Sequence, residues 1–442
     1  MAQAWHRMTA ADLGRGIAQG SVCPVELAEA ALEATGRHPA GDRIYARLMP
    51  ERALAEAAAA RDRARAGHRL SPLDGVPISW KDLFDTAGVK TEAGSRLLEG
   101  RVPERDAAVV QAATGAGLCC LGKTHMTELA FSGLGANPST ASPPNINAAD
   151  AVSGGSSSGA AASVAHGIAP AGVGSDTAGS VRLPAAWNDL VGLKTTPGRL
   201  SNAGVVPLCP RFDTVGPLTR SVEDAALIFE ALGGGATDLA GATLAGRRFV
   251  ALETVAMEGL EGHVAPGFEG ALERLSAAGA EIEHRAVPEV GEAVELALIL
   301  FATEAYGTWK EVIEAAPEKM FANILERFRG GAAFSGADYV AAWQRLVHLR
   351  ATYHAAVADA DAVVMPTCAI MPPHLAAVLA DPEHFAERNL KTLRNTRIGS
   401  LMGLPGLTLP TGTPSVGLLM QGPPGAEERL LRLGAAAERA LA

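Results

Sequence analysis

Ser153-Gly-Gly-Ser156-Ser-Ser-Gly159 and Gly172-Val-Gly-Ser-Asp176-Thr-Ala-Gly-Ser180-Val-Arg182-Leu-Pro184 are the stretches on which the reading of this chain turns. Residues 131–159 are rich in Gly, Ser, Pro and Asn without periodicity. A loop of that length in a compact protein usually carries function. The Ala-rich run at 160–167 is helix-like, 172–180 reads as a second glycine loop, and Leu190-Val-Gly-Leu193 resumes as a strand.

Outward from there the texture alternates. Val76-Pro-Ile-Ser-Trp80 predicts a short strand ending at Lys81, 105–116 a helix, and Leu118-Cys-Cys-Leu121 a buried strand. Downstream, strands are expected at 248–252, 362–365 and 406–409, and helices at 266–278, 336–358 and 426–440. Upstream, Thr9 is placed to cap a helix and Pro24 to open another, while Arg61, Arg63 and Arg65 before Gly67 suit a helix C-terminus. The pattern predicts α/β. With no linker or repeat, one domain over 1–442 is expected: a helical preface at 1–70, a core at 71–230 and a C-terminal part of the same sheet at 231–442.

Composition narrows the function classes. A formal charge of -10 repels phosphate backbones, so no nucleic-acid partner is expected. Cys23, Cys119, Cys120, Cys209 and Cys368 are an odd number without C-x-x-C spacing, against both a disulfide framework and a zinc site. A reducing cytoplasm is the expected setting. Neither a signal-peptide pattern nor a bilayer-long apolar run is seen, so no membrane role is expected.

Two generic patterns fail on physical grounds. Gly117-Leu-Cys-Cys-Leu-Gly122-Lys123-Thr124 fits the phosphate-loop expression, but an apolar run that wants to be a strand cannot turn its N–H groups around a phosphate. Gly155-Ser156-Ser157-Ser158-Gly159 fits a nucleophile elbow at Ser157, but no hydrophobic strand leads into it. His374 and His384 sit in polar, Pro-containing surroundings and read as exposed loop residues rather than a base.

The third arrangement joins Lys81, at the end of a strand, to Ser156 and Ser180, which stand 24 residues apart. That spacing, the two glycine–serine stretches and the lysine segment resemble the amidase signature family. So do Gly122-Lys-Thr-His-Met-Thr-Glu128, Asp359-Ala-Asp-Ala-Val-Val-Met-Pro366-Thr367 and Met402-Gly-Leu-Pro405, in the same order. The resemblance covers most of the chain. It implies an α/β fold with a mixed central β-sheet layered between α-helices, and a Ser-cisSer-Lys hydrolase needing neither metal nor cofactor.

By position in the motif, Ser180 corresponds to the nucleophile, Ser156 to a bridging serine after a cis peptide bond, and Lys81 to the base. The chemistry is coherent. A serine hydroxyl needs a proton acceptor within reach, and a lysine serves only when neutral, which means lowering its pKa by about three, roughly 4 kcal/mol. The backbone N–H groups of Thr177, Ala178, Gly179 and Ser180, before a short helix opening near Arg182, are the candidate oxyanion hole. Gly154 and Gly155 support the loop, and Asp176 and Arg182 are expected as a buried ion pair holding it. Thr124 and Glu128 read equally well as an N-cap pair.

The implied substrate is a small or medium carboxamide, with Phe131, Ser132 and Gly133 as candidate substrate contacts and further pocket walls expected from 300–330 and 366–374. Tyr306, Trp309, Phe321 and Phe328 are expected to pack in the core. A homodimer is compatible with all of this. Two competing readings are the glutaminase component of a tRNA-dependent amidotransferase and a catalytically silent binding protein. Departures from the family pattern are Ala178 for glycine, His125 for asparagine, Asp189 for glycine, and a short connection at 410–419.

Overall fold

The computed structural model describes residues 5–442. Its strands are β1 (Tyr45–Leu48), β2 (Pro77–Lys81), β3 (Cys119–Thr124), β4 (Ala171–Asp176), β5 (Val191–Lys194), β6 (Thr214–Thr219), β7 (Arg248–Leu252), β8 (Glu281–Arg285), β9 (Ala362–Pro366), β10 (Gly406–Pro410) and β11 (Gly417–Gln421). They join in one sheet ordered β1-β3-β2-β4-β6-β5-β10-β11-β9-β7-β8. β2 runs parallel to β3 and β4, and β7 parallel to β8 and β9. The other pairings are antiparallel. The result is a mixed sheet flanked by helices, the fold class expected.

Local chemistry explains much of the framework. Thr9 caps Ala10–Ala18 by accepting from Asp12 N at 3.0 Å, Pro24 opens Pro24–Arg37, and Gly67, at φ 71°, closes Pro50–Ala66. β2 and β3 are buried along their whole length, as parallel strands covered on both faces must be. The edge strand β8, Glu-Ile-Glu-His-Arg, is largely exposed, and its charges discourage further strand addition.

Two expectations are corrected. First, the preface is not purely helical: Tyr45–Leu48 pairs antiparallel with β3 and forms the sheet's other edge. Second, 172–180 does not begin as a loop, because Ala171–Asp176 is an interior strand between β2 and β6. Its glycines reflect crowding. A Cβ on Gly174 would lie 2.4 Å from Ser157 Oγ, at the cap of helix Ser158–Ala165, and one on Gly172 2.9 Å from the Ala160 carbonyl oxygen within it, so the covering helix sits directly on the backbone. Beyond the expected strands the sheet also holds β6, β8 and β11. β6 carries Pro217 in an interior strand, adjoining the end of its short ladder with β5, which pairs only Val191 with Thr219 and Gly192 with Leu218.

Candidate active site

The site grows from the middle of the sheet, where β2 and β4 lie side by side with Trp80 opposite Val173. Side chains alternate along β2. Trp80 points to one face and packs edge-on against Phe84, while Ser79 shares a 2.7 Å hydrogen bond with Ser163 of helix Ser158–Ala165 on the other. Lys81 shares the face of Ser79 and reaches toward the start of that helix.

Lys81 is completely buried. Its Nζ donates to Ser156 Oγ at 2.7 Å and to Ser175 Oγ at 2.8 Å. Burial pushes its pKa down to about 7, against the opposing pull of Asp176 and Asp213. Half of such a group is uncharged near neutral pH, the state in which an amine accepts a proton.

The Gly155-Ser156 peptide bond is cis. A Cβ on Gly154, which has φ +78°, would come within 2.9 Å of Pro184 Cα, and one on Gly155 within 2.7 Å of Thr127 Oγ1. Only glycine admits that closeness. Ser157 N–H donates to the Ser180 carbonyl at 3.2 Å, joining the two serine loops.

Asp176 and Arg182 are both fully buried and form the expected ion pair, with Arg182 Nε and Nη2 each donating at 2.9 Å. Burial alone would raise the Asp176 carboxyl, but the charge and hydrogen bonds of Arg182 outweigh it and hold the carboxyl below its usual range. The same carboxylate accepts from Gly179 N at 2.7 Å and Val181 N at 3.1 Å. This corrects one expectation: the Gly179 N–H is committed to Asp176, leaving Thr177, Ala178 and Ser180 as candidate oxyanion donors. The loop is pinned twice more, by Thr177 Oγ1 donating to Asp213 at 2.6 Å and Thr396 Oγ1 donating to the Ala178 carbonyl at 2.7 Å.

Ser180 borders a small cavity of ≈ 20 Å³ together with Ala178, Phe131 and Ser132. Gly133 does not line it; its N–H donates to Asn389 Oδ1 at 2.8 Å, which holds the loop. The opposite wall is Leu208, Phe301, Arg327, Leu393 and Arg397. The expected segment 300–330 thus contributes Phe301 and Arg327, whereas 366–374 contributes nothing there and is replaced by 393–397. Phe328 packs on Phe131 with ring centres 4.6 Å apart, and Trp309 Nε1 donates to Pro207 O at 2.8 Å, so these aromatics support the wall from behind.

Other expectations fall out of the geometry. Ser157 Oγ donates to the Ser175 carbonyl at 3.2 Å and is fully buried, consistent with setting the elbow pattern aside. Lys123 lies in β3 and donates to Phe84 O at 2.5 Å and Thr91 Oγ1 at 2.9 Å, so no phosphate loop exists there. Glu128 is no N-cap partner of Thr124. It accepts from Ser95 Oγ at 2.8 Å and Phe321 N at 2.9 Å, and burial pushes its pKa up to about 7. His374 is exposed, beside Asp150, as expected, but His384 lies in helix Pro382–Met402 rather than a loop. Asp189 adopts φ 55°, where Ser415 N and Asn147 Nδ2 each donate to its carboxylate at 2.8 Å.

Ser175, Arg327 and Arg397 escape a reading of the sequence. Ser175 is hidden when β4 is taken for a loop. For Arg397 a signal exists: Asn389, Thr392, Thr396 and Ser400 repeat at helical spacing and are buried, a polar stripe on a helix facing the serine loop.

The family model described as Amidase matches residues 26–431. The chain belongs to the Amidase family. It is a hydrolase acting on carbon–nitrogen bonds in amides. The chain is 35% identical over 395 residues to a 2-amino-5-chloromuconic acid deaminase of Comamonas testosteroni, covering 86% of this chain and 84% of that one. It is 30% identical over 474 residues to a glutamyl-tRNA(Gln) amidotransferase component of Chloroflexus aggregans, covering 98% and 96%. Among solved structures, an amidase crystal structure superposes with a TM-score of 0.89 at 32% identity, covering 98% of this chain and all of that one. No described helix of this amidase is long and apolar enough to cross a membrane.

Proposed function

We propose that this amidase hydrolyses the C–N bond of a small carboxamide through an acyl-Ser180 intermediate. The observation that carries the reading is the buried Lys81 amine, with its pKa near 7, 2.7 Å from Ser156 Oγ. Ser180 Oγ attacks the carbonyl carbon as its proton passes to Ser156, whose own proton moves to Lys81. The N–H groups of Thr177, Ala178 and Ser180 stabilise the oxyanion. The relay then returns the proton to the leaving nitrogen, the C–N bond breaks, and ammonia or an amine departs. Water cleaves the ester by the same relay, giving a carboxylate and free Ser180. Gly154, Gly155, Asp176 and Arg182 hold the loops, and Phe131 and Ser132 touch the acyl group.

The test is ammonia release from a panel of small amides by wild type and Ser180→Ala, with fluorophosphonate labelling of Ser180. Loss of both in the variant, with its melting curve preserved, supports the reading; full activity in the variant ends it.

The amidotransferase relative favours a second reading, a glutaminase working within an amidotransferase. Glutamine carries an α-ammonium, and no acidic side chain among the described residues borders the cavity to receive one. Glutaminase activity appearing only with partner proteins would support this alternative. The five unpaired cysteines support a reducing, cytoplasmic setting.

A further inference from the structure

Several cations in this protein meet a buried carboxylate, whereas Lys81 and Lys194 are fully buried on hydroxyl and carbonyl oxygens alone. Arg182 meets Asp176, Arg63 meets the buried Asp74 at 2.5 Å, and Lys123 lies 3.6 Å from Asp82. Arg327 and Arg397 have neither kind of partner among the described residues. Both border the Ser180 cavity, Arg397 is only 8% exposed, and the Nε of each is buried without a hydrogen-bond partner among the described residues. Burial weighs against the charge of both, and Arg397 also feels the like charge of Arg327. The Phe131 ring lies 4.5 Å from the Arg327 guanidinium, a favourable neighbour of another kind.

Two adjacent guanidiniums partly withdrawn from water without a counter-charge are costly, and arginine does not escape the cost by losing its proton near neutral pH. The counter-charge is therefore sought in what enters the cavity. We infer that the acyl half of the substrate bears a carboxylate, which Arg327 and Arg397 hold while its amide carbonyl lies over Ser180. This rests on the acyl-Ser180 reading above.

The placement is built in. Arg397 follows Thr396, whose hydroxyl grips the Ala178 carbonyl and whose own carbonyl accepts from Arg182 Nη1 at 2.8 Å. The guanidinium is thereby referenced to the serine loop. Arg327 lies in helix Ala322–Arg329, preceded by Phe321, whose N–H is held by Glu128. The rest of the wall, Leu208, Phe301 and Leu393, suits a short methylene chain, and no acid among the described residues is present for an amino group. The space beside Ser180 is small, so the chain must be short. The substrate class is the monoamide of a short dicarboxylic acid.

The experiment compares kcat/KM of wild type on malonamic and succinamic acids with that on propionamide and butyramide, and measures succinate binding by calorimetry. A preference of about 100-fold or more for the acids is expected, with succinate bound and acting as a competitive inhibitor. In Arg397→Met and Arg327→Met the acid-to-neutral ratio should collapse toward one and succinate binding should vanish, with Arg397→Lys restoring part of both. Equal or better turnover of the neutral amides, with Ser180 still labelled, overturns this inference alone. No turnover and no label overturns the acyl-serine reading instead, and the wild-type succinate titration then decides the anion site independently of catalysis or of how the variants fold.

Discussion

Lys81 Nζ and Ser156 Oγ, 75 residues apart in sequence, stand 2.7 Å from each other with both side chains sealed from solvent. The amine works as a base only when unprotonated. Its pKa, ordinarily 10.5, is pushed down to about 7 by burial, so it is cationic below that pH and neutral above. kcat/KM should therefore rise tenfold per pH unit below about 7 and level off above it. Lys81→Met should cost about 10²–10⁴-fold, the usual worth of a positioned base. A rate flat from pH 5.5 to 8.5 would remove Lys81 from the role.

Ser175 offers Lys81 a second acceptor at 2.8 Å. An oxygen there favours the ammonium over the amine. Ser175→Ala should move the midpoint of the pH–rate profile to lower pH and reduce kcat more than it alters KM. A purely structural serine would lower the melting temperature and leave the midpoint in place.

The Asp176–Arg182 pair has no water to fall back on. Removing one partner strands the other charge in the interior at a cost of about 3–5 kcal/mol. Denaturant unfolding of Arg182→Met and of Asp176→Asn should show losses of that size, the Asp176 variant also depriving one of the Gly179 and Val181 N–H groups of its acceptor. Replacing both together should cost less than the sum of the two.

Gly216 lies in β6 with its Cα against β5; an added Cβ would lie 1.8 Å from the Leu193 carbonyl. Gly216→Ala must push backbone apart and should lower stability by at least about 1–3 kcal/mol. Gly307, within helix Ala297–Ala315, has nothing within 4 Å of that position, so Gly307→Ala should raise stability by up to about 1 kcal/mol. Opposite shifts in urea midpoint for the same chemical change would show that contact, rather than glycine content, governs these sites.

The helices and the buried β2 and β3 are legible because their signals are local: a capping Thr9, a closing Gly67, apolar runs of strand length. β4 and β6 are not. Gly172 and Gly174 look like loop residues until helix Ser158–Ala165 is laid on them, and Pro217 argues against an interior strand until its ladder is seen to be short. Local composition reports what a backbone can do, and cannot report which neighbour forbids a side chain.

The same division runs through the site. The resemblance carried by segment order and spacing brings forward Lys81, Ser156 and Ser180, along with the Asp176–Arg182 pair, because motif residues lie in a few short segments whose chemistry can be argued one by one. Tertiary structure alone decides that Ser175 meets Lys81, that Gly179 N–H belongs to Asp176, and that Arg327 and Arg397 border the Ser180 cavity with no acid among the described residues lining it. Those facts depend on helix Pro382–Met402 packing onto a loop far earlier in the chain, with Thr396 seated against Ala178 across a separation of 218 residues. Such contacts follow from the shape of the whole interior, which no stretch of sequence carries by itself.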